Sequence, residues 1–265
     1  MRSLPKLPVL NVEISTLERE AALDAFKGSR FVFTPNVDHL YNLSQNRSFY
    51  EVYQQADLLL CDSRIISLFS KAVWRKHLPH LTGVDFFRAL CAKGPRADFR
   101  VFLLGGSTPE HTRLAHQRIN RTYGSVVVGS YSPPFGFEWN AVEIEGIATR
   151  VKQSGANVLV VGVGSPKQEL FIARHHHRFE NVEHFMGLGA TIDFESGLAR
   201  RAPAWMTKAG LEWLFRFTQE PGRLFQRYFV NDPKVLFDLI RFTNGRYQNP
   251  WSDSGRIPAR TRESA

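Results

Sequence analysis

Short apolar runs alternate with polar segments of helical spacing along most of this chain. Six runs have the length and the near-continuous hydrophobicity of strands that are covered on both faces. These runs are Arg30–Phe33, Ala56–Cys61, Arg100–Leu104, Val126–Gly129, Val158–Val161 and Glu183–Gly189. Because a segment typical of a helix or a turn follows each run, the order is β, α, β, α throughout. The pattern predicts an α/β fold, a doubly wound, Rossmann-like parallel sheet with helices on both faces.

Helix boundaries are marked by capping residues and by apolar spacing. Ser15 and Glu18 have the spacing of a capping box, which predicts a helix from there to about Lys27. Further predictions from spacing are helices over Ile65–Ala72 and Asp85–Cys91, an irregular segment over Val73–His80 and a turn over Ala190–Asp193.

A glycine turn, Gly162 to Gly164, follows the apolar run Val158–Val161. Ser165 can cap the helix that comes next, and Pro166 fits its first position. In an open parallel sheet such a junction lies at the carboxyl edge, where free N–H groups and the helix dipole favour a phosphate or another anion. The alternative is a turn that uses glycine only for its geometry.

A second glycine turn has the same construction. Gly105-Gly106 follows the run Arg100–Leu104 and precedes Ser107–Glu110, which has the residues of a helix start. Two such turns suggest two parts of one site. The carboxyl edge of the predicted sheet gathers these candidate residues: Thr34, Asn36, Asp62, Gly105, Gly106, Gly162, Gly164 and Gln168.

The composition changes from Leu198 onward. Twelve Lys or Arg residues against six Asp or Glu lie between Leu198 and the C-terminus, so this quarter carries most of the formal net charge of +9. We predict three parts from this change: a Rossmann-like core over residues 1–197, a helical basic-aromatic appendage over 198–248 and a flexible tail over 249–265.

The middle helix of the appendage has a basic amphipathic pattern suited to a membrane interface. Its apolar face consists of Leu224, Phe225, Tyr228 and Phe229. Its basic face consists of Arg223 and Arg227. The alternative is a helix that packs on the core and leaves its arginines in solvent.

Charge and hydropathy indicate where in the cell the protein is located and what kind of partner it binds. The chain contains neither an apolar run long enough for a membrane span nor a signal peptide, so we expect a cytoplasmic protein. Cys61 and Cys91 both stand in apolar sequence, which predicts buried, reduced thiols. The net charge of +9 indicates an anionic partner, namely nucleic acid, an anionic membrane surface or a phosphorylated substrate.

The main alternative function is a nucleotide-binding oxidoreductase of Rossmann type. Lys167 stands where the third glycine of a dinucleotide fingerprint would be, which weakens that alternative. There is no P-loop motif in this region and no Asp-x-Asp pair, so a nucleotide-bound Mg²⁺ held by such a pair is not supported. We expect no cofactor and no other metal. A nucleic-acid-binding module would need an exposed basic stripe on the sheet domain, whereas the charge is concentrated in the appendage.

Taken in order, the motifs resemble the WecG/TagA/CpsF family of bacterial glycosyltransferases. The resemblance covers about Phe31 to Phe229. The matching blocks are Thr34-x-Asn36, Ala56-Asp57 through Asp62, Gly83-x-Asp85, Val101 to Gly106, Gly162-x-Gly164-x-Pro166-Lys167-Gln168-Glu169, Arg201-Ala202-Pro203-x-Trp205, Glu212-Trp213-Leu214-x-Arg216 and Glu220-Pro221-x-Arg223.

The resemblance implies a metal-independent, inverting transfer of a hexose or N-acetylhexosamine from a UDP-sugar to a polyprenyl-diphosphate-linked sugar. Such enzymes build cell-surface polysaccharide or exopolysaccharide at the inner face of the cytoplasmic membrane. The expected partners are therefore the UDP-sugar, the lipid-linked acceptor and the membrane surface. Nucleic acid is not expected, and a homo-oligomer is left open. The donor sugar is open among N-acetylmannosamine, its uronic acid and glucose.

Site roles follow from the same resemblance, which implies that the core over residues 1–197 is catalytic and that the appendage over 198–248 completes the site and associates with the membrane. Asp62 is most simply a helix N-cap by its position alone, but by resemblance it matches the general base that takes the proton of the acceptor hydroxyl. Ser63 follows it where the family usually has glycine, and His80 stands where the family often has arginine. The substrate-binding residues implied are Thr34, Asn36, His80, Gly105, Gly106, Gly162, Gly164 and Gln168, with Lys167, Arg201, Arg216 and Arg223 as cations for the departing UDP.

Overall fold

The computed structural model describes residues 4–198, 203, 206, 212–219 and 221–252. Its strands are β1 (Lys6–Val9), β2 (Val12–Ser15), β3 (Phe31–Phe33), β4 (Leu58–Leu59), β5 (Val101–Gly105), β6 (Val127–Tyr131), β7 (Val158–Gly162) and β8 (His184–Gly187). Six of them form one parallel sheet in the order β4-β3-β8-β7-β5-β6. This sheet, with helices on both faces, confirms the predicted doubly wound, Rossmann-like fold.

Helices connect the strands and continue beyond the sheet. They are α1 (Arg19–Phe26), α2 (Val37–Gln45), α3 (Arg47–Gln54), α4 (Arg64–Val73), α5 (Gly83–Ala97), α6 (Pro109–Tyr123), α7 (Ala141–Ser154), α8 (Lys167–His175), α9 (Thr191–Ser196), α10 (Glu212–Gln219), α11 (Pro221–Gln226) and α12 (Asp232–Thr243). A π-helical segment, Arg227–Asn231, joins the last two helices.

The central strand β7 explains why the predicted strands read as continuous apolar runs. Its side chains alternate between the two faces of the sheet, and all of them are fully buried. Val158 and Val160 belong to the hydrophobic core on one face, whereas Leu159 and Val161 belong to the core on the other. Two cores, one on each side, therefore require apolar residues at every position of the strand.

The N-terminus differs from the prediction, because the capping box at Ser15 is a strand end. β1 and β2 form an antiparallel hairpin in which Ser15 pairs with Lys6. Helix α1 begins only at Arg19, and Glu18 occupies its N-cap position without a side-chain hydrogen bond to the N–H groups of the helix. Leu7, Val9, Val12 and Ile14 are buried in one of the cores, and this gain in apolar burial outweighs a local capping preference.

Other boundaries also differ from the predictions. Helix α3 was not predicted, α5 extends beyond the predicted Asp85–Cys91 at both ends, and α9 forms where a turn was expected. The segment Val73–His80 is irregular apart from its first residue, as predicted. Cys61 and Cys91 are buried free thiols, which confirms that prediction, and burial raises the pKa of Cys61 to about 12.

The C-terminal segment packs on the core beyond residue 248, where we predicted that packing would end. Val235 and Leu239 of α12 are buried with core residues of α2. The hydroxyl of Tyr247 donates to Asn11 Oδ1 at 2.8 Å, and Trp251 Nε1 donates to the carbonyl of Leu43 at 2.7 Å. The tail predicted to be flexible from residue 249 is thus packed at least to Trp251, because these aromatic residues have polar partners on the core. Residues 253–265 lie outside the described residues.

Candidate functional site

A cavity of about 480 Å³ opens at the carboxyl edge of the parallel sheet. The loops after β3, β4, β5, β7 and β8 line it, together with the π-helical segment of the appendage. The predicted site residues that line the cavity are Thr34, Asn36, Asp62, Gly106, Gly162, Gly164 and Gln168. The titratable lining residues that the sequence did not single out for the site are Asp38, His39, Asp193 and Arg227.

Asp62 lines the cavity and is not the N-cap of the next helix. Ser63 takes that position, since its hydroxyl accepts a hydrogen bond from the N–H of Ile66 at the start of α4. The Oδ2 atom of Asp62 instead accepts from the N–H of Gly83 at 3.3 Å, at the N-terminus of α5. The structure thereby replaces the capping interpretation of Asp62 by one in which its carboxylate belongs to the cavity wall.

Thr34 and Asn36 come from the turn between β3 and α2. Asn36 caps α2, because its Oδ1 accepts from the N–H of His39 at 3.1 Å. Thr34 is buried against Gly83, where an added Cβ would lie 3.4 Å from its Oγ1. A side chain at Gly83 would therefore press on Thr34 and on Leu188, whose Cδ2 would lie 3.3 Å from the added Cβ.

The two glycine turns lie against each other, as two parts of one site. The N–H of Gly106 donates to the carbonyl of Gly162 at 3.0 Å, and a Cβ on Gly105 would lie 2.5 Å from that carbonyl oxygen. Gly105 is not among the residues that line the cavity. Its glycine is therefore better explained by this close approach of the two turns than by contact with a ligand. Gly164 also has a positive φ, of +87°, but it lines the cavity and a Cβ there would meet nothing within 4 Å.

Gln168 and Glu169 form a buried pair beneath the cavity. Gln168 is 1% exposed, and its Oε1 accepts from the N–H of Gly189 at 3.0 Å while its Nε2 donates to Glu169 Oε1 at 2.9 Å. Burial raises the pKa of Glu169 to about 7, and the hydrogen bond from Gln168 only partly opposes this. Glu169 therefore fixes which end of the Gln168 amide faces Gly189.

Arg227 reaches the cavity from the appendage, although its sequence pattern placed it on a membrane-facing surface. Its Nη2 lies 3.4 Å from Asn36 Oδ1 and its Nη1 lies 3.8 Å from Asp38 Oδ2. Its Nε is buried without a hydrogen-bond partner among the described residues. The helical spacing showed that Arg227 and Arg223 share a face, but which way that face points depends on how the appendage packs. A guanidinium with an unused donor suits a phosphate oxygen.

Several predicted site residues are not brought to the cavity. Lys167 Nζ lies 3.2 Å from Glu138 Oε1 and above the ring of Phe135. His80 is exposed in a separate shallow depression beside Asp85. Arg201 and the side chains of Arg216 and Arg223 lie outside the described residues.

The amphipathic prediction for the appendage holds only in part. Leu224 is buried, but Phe225 and Phe229 are more than half exposed, and their rings lie 5.1 Å apart. On α12, Phe237 and Ile240 are exposed as well. Among the described residues, no helix has both the length and the hydropathy to span a bilayer.

Comparison with known proteins identifies the family of this chain. Residues 7–249 match the model of the glycosyl transferase WecG/TagA/CpsF family. A similar protein from Bacillus spizizenii is an N-acetylglucosaminyldiphosphoundecaprenol N-acetyl-beta-D-mannosaminyltransferase. The two sequences are 27% identical over 219 residues, which cover 83% of this chain and 81% of that relative.

Proposed function

The chain belongs to the WecG/TagA/CpsF family of glycosyl transferases, and from that premise we propose that its donor is a UDP-sugar and its acceptor a polyprenyl-diphosphate-linked sugar. The transferred group is a hexose or an N-acetylhexosamine. The reaction inverts the anomeric centre, needs no metal and serves the synthesis of cell-surface polysaccharide or exopolysaccharide. The Bacillus spizizenii relative supports N-acetylmannosamine as the donor sugar and N-acetylglucosaminyl-diphospho-undecaprenol as the acceptor.

The observation that carries the proposal is the place of Asp62 in the cavity wall, while Ser63 caps the following helix. A carboxylate there can accept the proton of an acceptor hydroxyl as the oxygen attacks the anomeric carbon. The bond between that carbon and the UDP oxygen breaks on the opposite side, which inverts the configuration. Asp62 is accordingly our proposed general base.

The departing UDP gains negative charge, and cations must meet it where no metal does so. Arg227 is the cation that lines the described part of the cavity, and its unused Nε donor supports a role in holding the diphosphate. Arg201, Arg216 and Arg223 remain proposed partners from the resemblance. Lys167 is the weaker candidate, because Glu138 already holds its ammonium group.

The lining also has to accommodate a nucleotide and two sugars. We propose that Thr34, Asn36 and Gln168 contact the donor and the acceptor, since all three line the cavity, the first two from the turn after β3 and Gln168 from the start of α8. Gly106, Gly162 and Gly164 let the substrate approach the backbone closely. His80 is exposed outside the cavity, so any role in binding would concern the acceptor beyond the cavity mouth.

The appendage supports a membrane-associated enzyme. Phe225, Phe229, Phe237 and Ile240 are exposed apolar side chains on a segment with a net positive charge. Such a surface can enter the interface of an anionic bilayer, where a polyprenyl-linked acceptor resides. The appendage then has two roles, because Arg227 projects from it into the cavity.

Thermal stability with added nucleotide tests the proposal. We expect UDP to raise the melting temperature in the presence of EDTA, whereas NAD and single-stranded DNA leave it unchanged. Arg227→Lys should weaken UDP binding about tenfold or more, because lysine cannot reproduce the planar fork of donors. Arg241→Lys, on the same appendage but paired with Asp238 outside the cavity lining, is the matched control and should bind UDP normally. Stabilisation by NAD alone would overturn the assignment.

A further inference from the structure

The connection between β6 and α7 exposes large apolar side chains. We name residues 132–142, which include the first two residues of α7, the β6–α7 loop. Within the described part of the chain, Phe135 is 99% exposed, Trp139 is 76% exposed and Val142 is 82% exposed. Single exposed apolar residues are common on proteins, but three side chains of this size within eight positions form a patch that indicates an interaction.

The β6–α7 loop is held firmly while these side chains point outward. Phe137, between Phe135 and Trp139, is buried and its ring lies 5.1 Å from that of Phe171 in α8. Asn140 caps α7 by accepting from the N–H groups of Val142 and Glu143. The exposure is thus part of a built surface, since the loop has its own buried anchor and a defined end.

The acidic groups in and near the loop are already engaged. Glu138 is turned inward and pairs with Lys167 at 3.2 Å. Glu143 accepts a hydrogen bond from the hydroxyl of Tyr131 at 2.7 Å. Farther along α7, Glu145 pairs with Arg178 at 3.1 Å in the same way. The two ion pairs offset the negative charge of Glu138 and Glu145, and the hydrogen bond from Tyr131 holds the carboxylate of Glu143 in place.

A cation borders the patch on its outer side. The guanidinium of Arg174, an exposed residue of α8, lies 5.1 Å from the ring centre of Trp139. Exposed Trp and Phe beside an arginine are the composition of protein segments that enter a bilayer interface, where rings lie at headgroup level and cations meet anionic lipids.

The patch lies beside the cavity mouth. The ring of Phe135 is 4.8 Å from Lys167 Nζ, and Lys167 follows the cavity-lining turn that ends at Ser165. β6 is the last strand of the sheet on this side, whereas the appendage contacts α2, which follows β3 on the other side of the central strand. The two exposed aromatic surfaces therefore flank the cavity along the sheet.

We propose that the β6–α7 loop is a second membrane-contacting element, which inserts Phe135, Trp139 and Val142 into the interface of an anionic bilayer. Its purpose rests on the proposed lipid-linked acceptor: contact on both sides of the cavity mouth holds that mouth against the membrane surface. The loop acts in addition to the appendage and does not depend on its exposed residues.

A second copy of the chain is the competing occupant, and the size of the patch argues against it. Three apolar side chains, of which aromatic ones bury about 150–250 Å² each, supply less than the roughly 800 Å² per partner of a stable protein interface. A bilayer has no such minimum, because each inserted side chain contributes separately.

Sedimentation with phosphatidylglycerol-containing vesicles tests the loop in the full chain without any sugar substrate. The double variant Phe135→Ser with Trp139→Ser should weaken binding to these vesicles about tenfold or more, since each lost side chain removes apolar burial. The matched control is Leu68→Ser with Val73→Ser, which removes exposed apolar side chains of α4 and should bind like the wild type. Unchanged vesicle binding by the loop variant would overturn the proposal.

A second measurement reports on insertion itself. Brominated lipids should quench tryptophan fluorescence in the wild type more than in Trp139→Phe, which keeps the ring surface but removes this reporter. Equal quenching in both proteins would contradict insertion of the loop, and so would a change of oligomeric state in the loop double variant, measured by analytical ultracentrifugation in the absence of vesicles. UDP-induced stabilisation, measured on the same variants, is a separate readout. Its absence in the wild type with intact vesicle binding would sink the transferase proposal and leave the loop proposal standing.

Discussion

Glu169 lies fully buried beneath the cavity, and its Oε1 accepts a hydrogen bond from the side chain of Gln168. Its pKa is raised from an ordinary 4.5 to about 7, with burial as the main cause. The folded protein therefore keeps a proton on Glu169 at pH values where the unfolded chain has released it. This carboxyl stabilises the fold fully below pH 4.5, and the contribution is lost as pH rises through about 7.

We predict that Glu169→Gln flattens this pH dependence. The amide keeps an acceptor for Gln168 Nε2 but cannot ionise, so the free energy of unfolding should no longer fall between about pH 5 and 7.5 on account of this site. The effect is of the order of 3 kcal/mol, because each tenfold change in an ionisation constant corresponds to about 1.4 kcal/mol. Chemical denaturation at several pH values measures it. Glu180→Gln, at an exposed acid, should keep the wild-type slope, and the same slope in Glu169→Gln would contradict the prediction.

The positions of some site residues could be predicted from the sequence, and those of others could not. Thr34, Asn36 and Asp62 each follow an apolar run, and the carboxyl ends of parallel strands meet at one edge, so their convergence could be predicted. The direction of Arg227 could not, because it depends on how the π-helical segment Arg227–Asn231 sits against α2. The capping role could not be assigned either, since both Asp62 and Ser63 are good N-cap residues.

Among the elements, the parallel strands were the easiest to predict and the flanking pieces the hardest. Strands covered on both faces are apolar at every position, as in β7, and this signal is strong even in five residues. The hairpin of β1 and β2 has alternating buried residues, but a capping-box spacing at Ser15 competed with it. Helix α9 is six residues long, too short for a helical period to show.

The exposed face of the appendage carries its own prediction. Phe225→Ser combined with Phe229→Ser should weaken binding to anionic vesicles about tenfold or more, because two exposed rings would no longer be buried in the interface. UDP-induced stabilisation should persist, since neither ring lines the cavity. Vesicle sedimentation and thermal shift measure the two effects on one preparation.

These rings are a sharper test of anchoring than the arginines beside them. A charge reversal at Arg227 would change the cavity as well as the surface, because its guanidinium lies near Asn36 and Asp38. Leu68→Ser with Val73→Ser again supplies the control. Wild-type vesicle binding by a folded Phe225 and Phe229 double variant would refute the anchor at this surface.

For the whole molecule, the central point is that core and appendage build one cavity. Asp62 comes from the end of β4, near one edge of the sheet, and Arg227 comes from the appendage packed on α2. Docking of Tyr247 and Trp251 fixes the appendage to the core through hydrogen bonds to Asn11 and Leu43. Our proposed proton acceptor and our proposed anion-binding cation thereby face one space, as the proposed sugar transfer from a nucleotide requires.

The most direct test of this mechanism is sugar transfer measured in EDTA with Asp62 and Ser63 changed one at a time. UDP release would be followed with UDP-N-acetylmannosamine, its uronic acid and UDP-glucose as donors, and a short-chain polyprenyl-diphosphate-linked N-acetylglucosamine as acceptor. We predict that the wild type transfers sugar from one of these donors. Asp62→Asn should lower the rate of transfer about 10²-fold or more, with folding and UDP binding nearly intact. Ser63→Ala should transfer at a near-normal rate but lose about 1 kcal/mol in the free energy of unfolding. Wild-type transfer by Asp62→Asn, accompanied only by a drop in stability, would contradict the mechanism.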